Sequence, residues 1–185
     1  TPNYYYLNDG NAHFEVFAFS ENDFASSIAA ADLDHDGDTD VIFSDNGWGF
    51  GGTDHVYLNQ GDATFEYLPN AFIDQNEENT SAISLGDFNG DGTLDLVTVD
   101  FDPTGRSRLW IGNGDGTFFE QEGAFDGSLT KQGMDTAAGD LDADGDLDLV
   151  QTFNSTAEIS VFLNDGNGFF TEGELEDVPG GQGFL

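Results

Sequence analysis

Three segments of this chain, residues 32–40, 87–95 and 140–148, alternate acidic side chains along the backbone in the pattern Asp-x-Asp/Asn-x-Asp-Gly-x-x-Asp. A glycine at the sixth position lets such a loop curl, so that oxygens from alternate residues converge on one point. Oxygens of like charge repel there unless a cation sits among them, and a hard cation that takes about six to eight oxygen ligands is Ca2+. In the first loop Asp32, Asp34, Asp36 and Asp40 offer side-chain oxygens, Asp38 its backbone carbonyl, and Gly37 the bend. The second offers Asp87, Asn89, Asp91, Asp95 and the carbonyl of Thr93 around Gly92. The third offers Asp140, Asp142, Asp144, Asp148 and the carbonyl of Asp146 around Gly145. The pattern therefore predicts three calcium sites.

Competing chemistries fit less well. An EF-hand loop starts the same way but needs a bidentate Glu at its twelfth position and a helix on either side. Phe43, Thr98 and Gln151 stand at the twelfth positions here. Magnesium prefers a rigid octahedron that keeps several waters, and zinc wants Cys or His. His35 lies in the first loop at a variable position and is expected to face solvent. An ordinary turn uses one or two Asp, Asn or Gly residues; it does not need four acids at fixed offsets, repeated three times.

The rest of the composition agrees with cation binding. Against 37 Asp and Glu stand only Arg106, Arg108 and Lys131, so the formal net charge is -34. A surface of that sign repels nucleic acid and anionic membranes, and internal ion pairs cannot neutralise it. The three cations are expected to be simple solvated residues. There is no Cys, hence neither disulfide nor thiolate metal site. No apolar run approaches the roughly 18 residues of a membrane span, so no membrane insertion is expected. The chain starts at Thr1 and its one Met is Met134, which suggests a processed chain or an excerpt of a longer one.

The elements that carry the loops repeat with them. The acidic loops start 55 and 53 residues apart. A second signature, Leu7-Asn8-Asp9-Gly10 to Phe14, returns at Leu58, Ile111 and Leu163, every 51 to 53 residues, about the length of one propeller blade. Each unit reads as four strands. A small-residue stretch (27–31, 82–86, 135–139) precedes the loop, and a β-branched or aromatic run (41–43, 96–99, 149–153) follows it. A hairpin such as 55–59 with 64–68 closes the unit around a turn of Asn, Asp and Gly, which tolerate positive φ.

The expected fold is all-β: propeller-type blades of four antiparallel strands, about three and a half of them, in an open arc or an irregular four-bladed ring. Residues 1–19 form a half-blade hairpin, 20–72, 73–125 and 126–173 three blades, and 174–185 a tail leading into a further blade or closing segment. Fourteen strands are counted in this way.

The acidic loops, the small residues before them (Ala30-Ala31, Leu85-Gly86, Ala138-Gly139) and the Asp-Val/Leu strand after them resemble the FG-GAP and VCBS repeat family. These are calcium-loop propeller blades of the kind also present in integrin α-subunits. The resemblance implies calcium ligands at the positions named above and an extracellular, secreted or cell-surface setting. It further implies a structural, adhesive or self-assembling role, with other copies of the chain or a cell-surface protein or glycan as partner. A lectin-like carbohydrate-binding propeller, or a non-catalytic part of a polysaccharide-degrading enzyme, is the alternative. Trp48 and Phe50, in a Gly-rich loop, are the side chains that would stack on a sugar. His13, His35 and His55 form no recognisable cluster and no nucleophile motif occurs, so no catalytic residue is predicted. Asn79 and Asn154 begin glycosylation sequons, expected in exposed loops.

Overall fold

A computed structural model describes residues 3–19, 25–45, 52–73, 79–102, 106–125, 132–154 and 159–173. The described residues form strands and turns and no helix. A hairpin pairs β1 (Tyr4–Asn8) with β2 (Phe14–Ala18). Blade 1 runs β3 (Ala25–Ala31), β4 (Asp40–Asp45), β5 (His55–Asn59), β6 (Phe65–Leu68) in spatial order. Blade 2 consists of β8 (Thr80–Gly86), β9 (Asp95–Asp100), β10 (Arg108–Gly112) and β11 (Phe118–Glu120), with β7 (Phe72–Ile73) added outside β11. Blade 3 is β12 (Gly133–Gly139), β13 (Asp148–Phe153), β14 (Ile159–Asn164) and β15 (Phe170–Gly173).

Two features depart from the expectation. The described residues hold fifteen strands rather than fourteen, and the additional one, β7, pairs in parallel with β11. The chain leaving blade 1 crosses to blade 2 and lays Ala71 and Phe72 along its outer edge, where the N–H of Phe118 donates to Ala71 O at 2.6 Å. The same step recurs between blades 2 and 3, where Phe170 N donates to Ala124 O at 2.6 Å beside a parallel bridge from Phe125 to Phe170.

The core lies between the blades, because each sheet is apolar on both faces. The first layer, between the hairpin and blade 1, holds Phe19, Val41, Phe43 and Tyr57. Between blades 1 and 2 lie Leu33, Ile42, Val56, Phe72, Leu96, Trp110 and Phe118. Between blades 2 and 3 lie Phe88, Val97, Leu109, Leu149, Phe162 and Phe170. A repeated aromatic pair spans each layer: Phe19 with Phe65, Phe72 with Phe118, and Phe125 with Phe170, at ring-centroid separations of 5.3, 5.3 and 4.9 Å. The last two pairs are stacked at 16° and 14°, a geometry that adds roughly 0.5–1.5 kcal/mol to area burial.

The first strands of neighbouring blades lie side by side, β3 against β8 and β8 against β12. Ser and Ala dominate them because the approach is close. Ser26 Oγ donates to Thr80 O at 2.5 Å, Ser81 Oγ to Gly133 O at 2.9 Å, and Ser84 Oγ to Thr136 O at 3.1 Å. A Cβ at Gly133 would collide with Val99.

Two of the three cations are placed: Arg106 is exposed, as expected of a solvated residue, whereas Arg108 corrects that expectation. Arg106 donates to Glu120 Oε1 at 2.5 Å. The Arg108 side chain is only 16% exposed and its Nε lies 3.6 Å from the same oxygen. At the start of a largely buried strand it is partly desolvated, and that burial pulls its pKa down against the fields of Glu120 and Asp54. Lys131 lies outside the described residues.

Candidate metal centre

Each acidic loop connects the first strand of a blade to the second, and its ninth residue opens the second strand. Asp40, Asp95 and Asp148 are all 0% exposed. Burying a carboxylate is costly unless it is hydrogen-bonded, and each of these is held in the same way. One oxygen accepts the N–H of the loop's second residue: Leu33 at 2.8 Å, Phe88 at 3.0 Å, Leu141 at 2.7 Å. The other accepts the N–H at the end of the third strand: Asn59 at 2.8 Å, Gly112 at 3.0 Å, Asn164 at 2.9 Å. The ninth Asp thus ties its loop to the hairpin of its own blade. Alternating acids alone do not reveal that role; the signal was the Asn/Gly that recurs as Asn59, Gly112 and Asn164 in step with it.

The curl is set by backbone geometry. The sixth residues Gly37, Gly92 and Gly145 take φ of 96°, 89° and 104°. The fourth residues are also left-handed, with His35 at 62°, Gly90 at 73° and Ala143 at 68°. His35 is exposed, its ring close to Gly114 in the turn of blade 2.

Inside that curl the carboxylates converge unevenly. Single oxygens of Asp32, Asp34 and Asp40 lie within 4.8 Å of one another, as do those of Asp140, Asp142 and Asp148. Asp36 and Asp144 are exposed, and each accepts the N–H two residues on, from Asp38 at 2.9 Å and from Asp146 at 3.0 Å. Asp38 and Asp146 turn their side chains toward the hairpin glycines Gly61 and Gly166. The second loop differs. No triple of carboxylates converges there among the described residues. Asn89 Nδ2 donates to Asp91 Oδ2 at 2.8 Å, and Asp91 Oδ1 accepts both the N–H and the hydroxyl of Thr93, at 2.8 and 2.6 Å. Asp87 accepts from Asp91 N at 3.1 Å and Gly92 N at 2.9 Å.

Burial first, and neighbouring acids second, raise several of these carboxyls. Burial pushes the Asp95 carboxyl up to about 6, against the two N–H donors that oppose it. Burial likewise raises Asp40, with repulsion from Asp34 and Asp36 added. Asp142 and Asp146 are raised by desolvation and by neighbouring acids, Asp144 and Asp148 for both. Asp91 is lowered, chiefly by the Thr93 hydroxyl.

The donor set fits a hard divalent cation: carboxylate oxygens and no soft ligand, on a loop whose glycine permits wrapping. In the first loop Asp32 Oδ1 is shielded from solvent and has no hydrogen-bond partner. A buried acceptor of that kind is costly unless a donor or a cation satisfies it.

Of the other predicted side chains, Trp48 and Phe50 lie outside the described residues. Asn154 is exposed, whereas Asn79 is half-buried.

A family model described as FG-GAP-like repeat matches residues 1–43, 46–98 and 87–151. The matches end at Phe43, Thr98 and Gln151, each inside the second strand of a blade, so a repeat in sequence straddles two blades in space. No curated protein matches the chain significantly.

Proposed function

The chain belongs to the FG-GAP-like repeat family, and from that membership and the geometry of its loops we propose that it is an extracellular calcium-binding repeat module with a structural or adhesive role. The observation that carries the calcium reading is the convergence of Asp32, Asp34 and Asp40 around an unpartnered buried oxygen, echoed by Asp140, Asp142 and Asp148. Those residues would hold the ion, with Asp36 and Asp144 close by in sequence to complete the shell. Bound there, Ca2+ supplies positive charge that offsets carboxylate repulsion. The chain's own part is positional: the ninth Asp fixes the loop against the hairpin, so that order at the loop is passed to the blade.

FG-GAP repeats typically occur in extracellular proteins, which supports the location. No helix among the described residues is long and apolar enough to cross a membrane. The role is read as non-catalytic, with a protein or glycan surface, or another copy, as partner. Calorimetric titration of Ca2+ into chelator-treated protein tests the reading. Saturable binding that disappears in an Asp34→Ala, Asp142→Ala double variant supports it; absence of binding at millimolar Ca2+ ends it.

A further inference from the structure

The hairpin β1–β2 is the back half of a blade. By repeat position Tyr6 stands where Tyr57, Trp110 and Phe162 stand in the complete blades. Those three are 0%, 1% and 0% exposed, whereas Tyr6 is 61% exposed. Phe14, the counterpart of Phe65, Phe118 and Phe170, is 52% exposed. In each complete blade the third strand pairs with a second strand, as Tyr57 pairs with Val41 and Trp110 with Leu96. Among the described residues β1 pairs only with β2. Asn8 is the counterpart of Asn59, Gly112 and Asn164, whose N–H groups all donate to a ninth Asp. No carboxylate among the described residues meets the N–H of Asn8.

We propose that the edge of β1 left unpaired among the described residues is an acceptor for the front half of a blade of this same repeat type, an acidic loop followed by an apolar strand, whose ninth Asp takes the N–H of Asn8. The chemistry is specified by what β1 lacks. An extended strand satisfies the open edge. A carboxylate at its first residue satisfies Asn8, and an apolar residue next to it sits opposite Tyr6, as Val41 sits opposite Tyr57. The brace needs only a carboxylate and an N–H, so the proposal does not rest on calcium occupancy.

The probe is a fluorescein-labelled synthetic peptide with the sequence of residues 133–153, titrated into the whole chain, with anisotropy and amide hydrogen exchange as readouts. The expected result is saturable binding, slowed exchange confined to residues 4–8, and binding about tenfold weaker for an Asp148→Asn peptide, the loss due to one charged hydrogen bond. Tyr6→Asp in the chain, at an exposed position, weakens binding without altering its melt. No saturable binding, protection elsewhere, or equal affinity of the Asp148→Asn peptide overturns the proposal. So does a doubled molar mass without peptide with residues 4–8 already protected, because a second copy then occupies the edge. Calcium titration of the chain without peptide is read separately, so failure here is distinguishable from failure of the calcium reading.

Discussion

Asp148 Oδ1 accepts the backbone N–H of Asn164 at 2.9 Å while its Oδ2 accepts that of Leu141 at 2.7 Å, so one buried carboxylate joins the start of its loop to the end of β14. This double role separates two kinds of acid in the same loop. Asp148→Ala strands two N–H donors and is expected to destabilise the chain by about 2–5 kcal/mol even without metal. Asp144→Ala, at an exposed residue, should stay within about 0.5 kcal/mol under the same conditions. Urea unfolding in chelator decides: equal losses would show that the ninth Asp is no brace.

Chelation should lower the melting temperature. A site held at one hundred times its dissociation constant adds about 2.7 kcal/mol to stability, or roughly 5–10 °C for a chain of this size. Asp34→Ala is expected to remove the first loop's share of that gain while leaving the melt in chelator nearly unchanged. Scanning calorimetry with calcium and with chelator gives both numbers. A variant that melts lower in chelator too would mean Asp34 serves packing rather than metal.

The calcium-free chain should become more stable as pH falls from 7 toward 5. Burial raises Asp95 to about 6 and also raises Asp40 and Asp100. A carboxyl whose folded pKa exceeds its unfolded value, about 3.9, binds its proton first in the folded state. Stability is therefore gained as pH falls through that window and lost as pH rises through the folded pKa. Asp91 is lowered and works in the opposite sense, costing stability only below its ordinary range. Thermal melts in chelator should peak near pH 4–5. In calcium the trend should reverse, because protons displace the ion.

Much of this was readable from residue spacing, and the parts that were not share one cause. The acidic loops, the strand that follows each, and the hairpin turns are local: Gly37 and its counterparts announce a left-handed bend, and Asn-Asp-Gly a hairpin. What spacing along one unit does not display is contact between units. Phe19, Phe72 and Phe125 recur every 53 residues, each after an Ala. Yet a two-residue strand such as β7 has no periodicity of its own, and its partner Phe118 lies in the next blade. The ninth Asp was legible as an acid and not as a brace, because one of the two N–H groups it serves lies 16 to 19 residues further on. Arg108 looked solvated because a lone cation carries no sign of burial, while its partner Glu120 sits on the neighbouring strand.

Those inter-blade pairs should carry much of the cooperativity. Phe72 stacks on Phe118 at 16° and meets Trp110 edge-on at 77°, and it is 6% exposed. Phe72→Ala empties the layer between blades 1 and 2 and is expected to cost about 3–5 kcal/mol. Ile73→Ala on the same strand removes a side chain that is 48% exposed, so it should cost about 0.5 kcal/mol or less. The shape of the transition is as informative as its midpoint. In a repeat array stability is a sum of unit and neighbour terms, so weakening one neighbour term should split a single urea transition into two, or lower its slope. Tryptophan fluorescence in a Trp48→Phe background, where Trp110 in the affected layer is the remaining indole, should then move at lower urea than far-ultraviolet circular dichroism. Coincident curves with an unchanged slope would mean that the blades are coupled chiefly through their first strands, where Ser26, Ser81 and Ser84 donate across to the next blade.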